Sequence, residues 1–165
     1  MLKTFCKPVQ AILMVVFLLV GFAQAKPAPD FDLPGLYGER VRLADYRGQV
    51  VYVDFWASWC GPCRKALPAL NVLRQELKQK GPFEILAINL DETPEDALRF
   101  LKKYPVDYPV ASDKDATLPP RYGLIGMPTS YLVDQQGNIV AVHEGFRSAN
   151  LDEIREAVFK LWARQ

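Results

Sequence analysis

Two cysteines separated by two residues, Cys60-Gly61-Pro62-Cys63, have the types and spacing that most directly suggest chemistry. An apolar, β-rich run precedes them and a helical pattern follows, and a CxxC pair at such a junction is typical of a redox-active dithiol. A thiol attacks a disulfide only as the thiolate. Because Cys60 is predicted at a helix N-terminus, where free N–H groups and the helix dipole favour an anion, we assign it as the nucleophile. Cys63, about one turn farther in, is assigned as the resolving thiol.

Metal binding and a purely structural bridge are the alternatives for these two cysteines. A disulfide between residues three positions apart closes almost no loop, so it contributes little to conformational stability. A zinc site would need two further ligands, and His143 is the only histidine in the chain. We therefore expect neither a metal nor another cofactor, and we interpret the pair as a dithiol kept for exchange chemistry.

The first 25 residues have the three parts of a secretory signal peptide. Lys3 and Lys7 give a basic start, an unbroken apolar run follows at 11–20, and Ala23-Gln24-Ala25 forms a small-x-small cleavage site. The alternative is an uncleaved membrane anchor, but the run is shorter than the roughly 20 residues that a spanning helix needs. The sequence therefore predicts a periplasmic or otherwise extracytoplasmic protein whose residues 1–25 are removed.

The remaining residues, 26–165, are predicted to form one domain. Removal of Cys6 with the signal peptide would leave Cys60 and Cys63 as the only thiols of the exported protein. The formal net charge of the whole chain is +1, with 20 basic and 19 acidic residues, and no segment is rich in lysine or arginine. Nucleic acid is therefore not expected as a partner.

An acid, Asp54, stands inside the apolar run 50–55, which has the β-branched and aromatic composition of a strand buried on both faces. A buried carboxylate is costly unless it has a partner or a task. Because Asp54 comes at the end of the strand that leads into the dithiol, we expect it to exchange a proton with Cys63. The alternative is a strand-end acid that simply faces water.

The hydrophobic periodicity predicts an α/β domain. The predicted order begins with a β-hairpin (31–43), a buried strand (50–55), a helix with Pro68 inside it (60–78) and a second buried strand (83–90). It continues with a helix (93–104), a peripheral strand (108–111), a second hairpin (130–143) and a last helix (150–162). The strand–helix–strand order predicts a parallel pair. We expect Asn150 and Glu153 to cap the last helix. We also expect Leu98 and Tyr104 among the buried residues of the helix that starts at Thr93.

Two stretches resemble the signatures of the thioredoxin superfamily. The segment from Val53 to Leu70 is similar to its active-site signature, and the segment from Arg121 to Thr129 is similar to its second signature, whose proline is cis. The resemblance covers about residues 45–165. It implies a thioredoxin-like three-layer fold: a central mixed sheet flanked by helices, with an N-terminal β-hairpin and an inserted helix–strand unit.

The resemblance also implies roles for particular residues. Pro128 would be the cis-proline that faces the dithiol, Asp54 the buried acid, and Gly145 a glycine that keeps the rim of the site open. A substrate-binding surface is expected from five residues, which are Trp59, Gly61, Pro62, Met127 and Pro128. Trp59 would be an exposed apolar contact for protein substrates, whereas the residues alone leave both Trp56 and Trp59 as core or rim.

Within the superfamily, the export signal, the hairpin and the long segment 93–113 resemble the TlpA/ResA-like branch of extracytoplasmic thiol–disulfide oxidoreductases. Ala66 departs from the glutamate of ResA-like members, and Thr129 departs from the acid that cytochrome c maturation members often carry. The site is thus closer to that of plain thioredoxin. Gly61-Pro62 places no charge or imidazole between the cysteines, which favours the reducing end of the potential range.

The resemblance therefore implies an enzyme that reduces disulfides of exported proteins through a mixed disulfide, in cytochrome c maturation or a related reducing pathway. A membrane thiol reductase would resupply its electrons. The alternatives are a disulfide-forming oxidase, a non-catalytic binding domain, and a copper chaperone of the same fold that uses His143 and both thiolates as ligands.

Overall fold

A computed structural model describes residues 26–164, which contain eight strands and four helices. The strands are β1 (Lys26–Pro27), β2 (Asp32–Pro34), β3 (Arg40–Arg42), β4 (Val50–Trp56), β5 (Phe83–Asn89), β6 (Val110–Ser112), β7 (Thr129–Val133) and β8 (Asn138–Glu144). The helices are α1 (Cys63–Lys78), α2 (Pro94–Lys103), α3 (Pro119–Tyr122) and α4 (Ala149–Trp162). The predicted signal peptide, residues 1–25, lies outside the described residues.

Six strands form one mixed sheet in the order β1-β8-β7-β4-β5-β6. Strands β4, β5 and β6 are parallel, whereas β7 pairs antiparallel with β4, β8 with β7, and β1 with β8. Every residue of β4 and β5 is buried, which confirms the prediction of two strands covered on both faces. Strand β6 lies at the sheet edge, where a strand with a neighbouring proline is tolerated.

The N-terminal hairpin is confirmed as a separate two-stranded sheet of β2 and β3. Its turn contains Gly38, whose φ of +97° lies in the region that only glycine enters without strain. The hairpin attaches to the main sheet at β6, because the Leu36 N–H donates to the Val110 carbonyl at 3.0 Å. The inserted unit of the resemblance is thus α2 followed by β6, with the hairpin against that edge.

The two faces of the sheet carry different layers. One face packs against α1, α2 and α4, and its core includes the aromatic pair Trp56 and Phe100 with ring centroids 5.1 Å apart. The other face packs against the hairpin, a 3₁₀ turn at 43–46 and α3, with Phe55 and Tyr122 at its centre. Within residues 26–164, no helix has the length and apolar character needed to cross a membrane.

Two details of the predicted helices were wrong. In α2 the buried stripe includes Phe100, whereas Leu98 and Tyr104 are only partly buried. Helix α4 begins at Ala149 after Ser148, so Asn150 is not the N-cap. Asn150 instead accepts from the Arg147 N–H at 2.8 Å and donates to Glu153 at 3.0 Å, which ties the first turn of α4 to the preceding loop.

Candidate active site

The dithiol lies where β4 gives way to α1. Cys60 and Cys63 form a disulfide with a Cα–Cα distance of 5.4 Å. Helix α1 begins at Cys63, and the carbonyls of Gly61 and Pro62 accept its first bonds, from Arg64 and Lys65 at 3.3 and 3.0 Å. Cys60 therefore lies just before the first turn, at the end of the helix where the first N–H groups have no acceptor within the helix. Both residues are nearly buried, and Cys60, 4% exposed, is slightly more accessible than Cys63 at 0%.

A carboxylate that the sequence analysis missed, Asp91, forms hydrogen bonds with the turn that precedes Cys60. Asp91 accepts hydrogen bonds from the Ser58 N–H at 3.0 Å, the Ser58 hydroxyl at 2.9 Å and the Asn89 amide at 2.8 Å. Asp91 follows the carboxyl end of β5, and parallel strands bring such ends to one edge of the sheet, where α/β sites form. The position of Asp91 just after β5 was the signal in the sequence that could have identified it. Its hydrogen bonds to Ser58 make it a positioning residue for the turn before the dithiol.

Asp54 is fully buried at the centre of the sheet. It pairs with Ala87 of β5 on one side and with Ser130 of β7 on the other. The Ser130 hydroxyl donates to Asp54 Oδ1 at 2.6 Å, and Oδ2 has no partner among the described residues. Burial raises the pKa of Asp54 to about 7, although the bond from Ser130 offsets part of the rise. A carboxyl with this pKa can both take and release a proton near neutrality.

Asp54 faces the layer that contains the dithiol. Side chains alternate along a strand, so Asp54 shares its face with Tyr52 and Trp56. Both aromatic residues belong to the core cluster that also contains Cys60 and Cys63. The acid thus faces the core cluster that contains the thiols, and because Asp54 is 0% exposed, the alternative of a water-exposed strand-end acid is excluded.

The loop before β7 lies at the same end of the sheet. The Met127-Pro128 peptide bond is cis, as the resemblance implies. Thr129 pairs with Phe55, which places Pro128 at the end of β4 from which the dithiol turn departs. The Gly145 N–H donates to the Pro128 carbonyl at 2.8 Å and holds this loop. A Cβ on Gly145 would meet nothing within 4 Å, so the rim is open there, while its φ of +73° still requires glycine.

Exposed apolar side chains are found next to Cys60 and in the loop before the cis-proline. Trp59 is 68% exposed beside Cys60, whereas Trp56 is completely buried, which separates the rim tryptophan from the core one. Gly61 and Pro62 are exposed, Met127 is partly buried, and Pro128 is buried. Ile125, two residues before Met127, is 81% exposed and was missed by the sequence analysis. Exposed large side chains of this kind are suited to contact with a protein partner.

His143 is not part of the dithiol. Its Nδ1 atom lies 3.2 Å from the Tyr52 hydroxyl, and it pairs with Ser130 in the sheet register. Among residues 26–164 no three His, Cys, Asp or Glu side chains are grouped as metal ligands would be. The two positions that depart from the branch pattern are both buried: Ala66 lies in the α1 interface, and the Thr129 hydroxyl donates to the Gly126 carbonyl at 2.8 Å.

Known proteins match this chain over most of its length. The AhpC/TSA family model matches residues 25–142. Thiol-disulfide oxidoreductase ResA of Bacillus thuringiensis subsp. konkukian is 39% identical over 120 residues, which cover 73% of this chain and 69% of that protein. ResA of Bacillus subtilis is 33% identical over 123 residues, or 74% and 68% of the two chains.

Solved structures agree with these relatives. A Chlorobium tepidum protein described as a thiol:disulfide interchange protein of the DsbE type is 43% identical, with a TM-score of 0.79 over 83% of this chain and 96% of that one. Relatives of this kind do not favour a copper chaperone. This chain therefore belongs to the AhpC/TSA family of the thioredoxin superfamily and, within it, to the ResA-like thiol–disulfide oxidoreductases.

Proposed function

We propose that this protein is exported and reduces disulfides in other exported proteins. The observation that carries the proposal is the placement of a buried carboxyl, Asp54, with a pKa of about 7, on the sheet face that carries the Cys60–Cys63 dithiol. Thiol exchange needs a thiolate to attack and a proton to be moved at each half-reaction. The exchange reaction therefore requires a nucleophile, a resolving thiol and a proton acceptor.

Each step of the reduction has a residue to perform it. The Cys60 thiolate attacks a substrate disulfide, and one substrate sulfur leaves as a thiolate while the other forms a mixed disulfide with Cys60. Asp54 takes the proton of Cys63, whose thiolate attacks Cys60 and releases the second substrate thiol. The products are a reduced substrate and the Cys60–Cys63 disulfide, which an electron donor must reduce again.

Substrates are proposed to bind across the exposed apolar surface next to Cys60. Trp59 supplies a large contact, Gly61 and Pro62 are exposed next to the nearly buried Cys60, and the loop at Met127 and Pro128 forms the opposite side of the site. Such a surface suits flexible or partly unfolded protein segments better than a small rigid ligand.

The reducing direction rests on the chemistry between the cysteines. Gly61-Pro62 contributes no positive charge and no imidazole, so it does not stabilise the Cys60 thiolate in the way that a strong oxidant requires. We infer a potential near that of thioredoxin, ~−270 mV, rather than the ~−120 mV of DsbA. In an oxidising compartment a reductase needs a source of electrons, for which we propose a membrane thiol reductase.

Equilibration of the dithiol with a dithiothreitol or glutathione buffer tests the direction. A potential near −270 mV, on the order given for thioredoxin, supports a reductase, and one near −120 mV would make the protein an oxidase. Insulin reduction by the pre-reduced protein tests the activity, and Cys60→Ser must abolish it.

Trapping experiments test the roles of the two thiols and the location. Cys63→Ser should accumulate a mixed disulfide between Cys60 and exported proteins, whereas Cys60→Ser should trap none. The mass of the protein recovered from cells should correspond to a chain that begins at Lys26. A chain that keeps residues 1–25 in the membrane fraction would support the anchored alternative.

A further inference from the structure

The buried carboxyl of Asp54 has no direct contact with water. Its Oδ2 atom is both buried and without a partner among the described residues, and Oδ1 accepts the Ser130 hydroxyl at 2.6 Å. Burial raises the pKa of Asp54, and the Ser130 hydrogen bond offsets part of that rise. A group that must load and unload a proton in every cycle therefore needs a route to solvent.

Ser130 connects Asp54 to two further polar residues on the same sheet face. Asp54, Ser130 and His143 occupy one row across β4, β7 and β8, because Ser130 pairs with both of the others. Tyr52 lies two residues before Asp54 and therefore faces the same side. Burial raises the pKa of Tyr52, and the neighbouring Ser130 hydroxyl partly offsets that rise. The Tyr52 hydroxyl lies 3.2 Å from His143 Nδ1.

The far end of this row reaches water. His143 is only half-buried, no described residue bonds to its Nε2 atom, and Nε2 is not among the buried side-chain atoms that lack a partner. Asp54, Ser130 and Tyr52 are 0%, 5% and 2% exposed, so the half-buried His143 ring is the member of the row that solvent reaches. Burial lowers the pKa of His143, with an opposing influence from Glu153 of α4, so the ring is neutral at neutral pH and can accept a proton at Nδ1.

We propose that Ser130, Tyr52 and His143 form a hydrogen-bonded relay that carries protons between the buried Asp54 carboxyl and solvent. This inference rests on the proposed function, since it assigns the path of the proton that Asp54 exchanges with Cys63. None of the three residues touches the reacting sulfurs. They are relay residues, and His143, which the sequence analysis weighed as a copper ligand, is the exit.

The proton balance closes over one catalytic cycle. When Cys63 attacks the mixed disulfide, its S–H proton moves to Asp54, and its electron pair forms the new S–S bond while the substrate thiolate leaves with the old one. Asp54 then passes a proton to Ser130, Ser130 passes its own to Tyr52, and Tyr52 passes its own to His143 Nδ1. Nε2–H of His143 releases a proton to water. Reduction of Cys60–Cys63 by the electron donor runs the same path inward.

The other titratable group near Asp54 does not offer a second route. Burial raises the pKa of Tyr108, with a further contribution from the charge of Asp54. The Tyr108 hydroxyl, however, donates to the Leu67 carbonyl of α1 at 3.2 Å inside the core. A peptide carbonyl in the middle of a helix cannot pass a proton on, so Tyr108 does not provide a second proton path from Asp54 to solvent.

A pH jump on the oxidised protein tests the relay without any thiol chemistry. The infrared C=O band of the protonated Asp54 carboxyl, assigned by its loss in Asp54→Asn, reports when a proton arrives. We expect Tyr52→Phe and His143→Gln to slow that arrival about tenfold, because a positioned proton-transfer group contributes ~10²-fold or more. Both variants keep the bulk of the side chain, and His143→Gln changes only a half-buried position, so it carries the test by itself if Tyr52→Phe fails to fold.

Tyr131→Phe is the matched control, because its hydroxyl donates to the Tyr122 carbonyl at 3.0 Å on the opposite face of the sheet. It should lower stability and leave the proton kinetics unchanged. Added imidazole should restore the rate in His143→Ala and should not affect Tyr131→Phe. Wild-type proton kinetics in both relay variants would overturn the relay. Failure of the wild-type protein to reduce insulin would instead overturn the proposed function, and the infrared result would not depend on it.

Discussion

Strands β4 and β5, which pair in parallel, each carry one buried acid, and the two acids have opposite surroundings. The Glu84 carboxylate of β5 forms ion pairs with Arg74 at 2.5 Å and Lys78 at 2.8 Å, both in α1, and accepts a hydrogen bond from the Ile85 N–H at 2.9 Å. Burial raises its pKa, but these partners prevail and hold the pKa below the ordinary value. Asp54 of β4 has one neutral partner, Ser130, and burial raises its pKa to about 7.

This difference separates an acid that joins two elements by ion pairs from the acid to which we assign proton exchange. A carboxylate whose pKa is held below its ordinary value by cations stays charged near neutrality, so it can join α1 to β5 and cannot exchange protons there. A carboxyl kept away from cations holds its proton loosely near pH 7, at a cost to stability. Burial alone does not distinguish the two roles, whereas the partners do.

The largest expected effect is on stability at alkaline pH. The folded pKa of Asp54 is raised from 3.8 to about 7, so the folded state binds the proton more tightly. Stability falls as pH rises from the unfolded pKa to the folded one, and the full cost is present above pH 7. At ~1.4 kcal/mol per unit this amounts to about 4 kcal/mol, which Asp54→Asn should recover at alkaline pH.

Urea denaturation across the pH range measures this gain. The gain should shrink as the pH falls towards 4, where Asp54 is protonated in both states, on the order of its unfolded pKa. Glu84→Gln should act in the opposite sense and destabilise the protein at neutral pH. A pH-independent gain in Asp54→Asn would contradict the raised pKa.

The second effect concerns the ion pair of Glu84. Arg74→Met removes the guanidinium and keeps the aliphatic stem, and Lys78 remains to share the charge. We expect a loss of about 2 kcal/mol at neutral pH, below the full cost of breaking a buried pair because one cation is left. The folded pKa of Glu84 is lowered, so this contribution is present above the unfolded pKa and disappears as the pH falls through the folded one.

Thermal or urea unfolding of Arg74→Met measures that loss. The matched control is Arg40→Met, which removes the exposed pair with Asp32 at 2.7 Å and should cost under about 1 kcal/mol. Equal losses in the two variants would show that the buried pair has no special weight.

The third effect is kinetic and belongs to Asp54 alone. In Asp54→Asn, the proton of Cys63 has no acceptor, and we expect resolution of the mixed disulfide to slow about tenfold or more. The inflection near pH 7 in the rate should disappear with it. Glu84→Gln, corrected for its lower stability, should resolve at the wild-type rate. Stopped-flow fluorescence of Trp59, next to the dithiol, follows both variants, and an unchanged rate in Asp54→Asn would remove the carboxyl from the mechanism.

The smallest effect is a displacement of the pH profile. Ser130→Ala removes the hydrogen bond that lowers the pKa of Asp54. A hydrogen bond to a charged group contributes ~1.5 kcal/mol or more, so the inflection should move upward by about one pH unit. The pH dependence of insulin reduction measures the displacement, and a downward movement would show that Ser130 does not stabilise the carboxylate.

Much of the site could be predicted from the sequence because its signals are local. The spacing of Cys60 and Cys63, the change of hydrophobic period between them and an acid inside an apolar run are all visible within 30 residues or so of one another, as is usual for a strand–turn–helix unit. Buried strands are recognisable in a sequence as runs of β-branched and aromatic residues, which is why β4, β5 and their parallel pairing were predicted correctly.

Contacts made across the fold were not visible in the same way. Asp91 reaches Ser58 from 33 residues away, and Ser130 reaches Asp54 from 76. Tyr52 and His143 meet across 91 residues because β7 brings β8 alongside β4. Strand register decides such meetings, and a single-residue slip would turn every one of these side chains to the other face.

The sequence by itself determined that this chain carries a dithiol at a strand-to-helix junction with an acid beside it. It could do so because residue type and short-range spacing are enough to specify that chemistry. Only the tertiary structure decided which of the two buried acids has a pKa near neutrality and which polar residues lie beside it. Burial and the choice of partners set the pKa of a carboxyl, and both are properties of the packed sheet and helices rather than of any stretch of the chain.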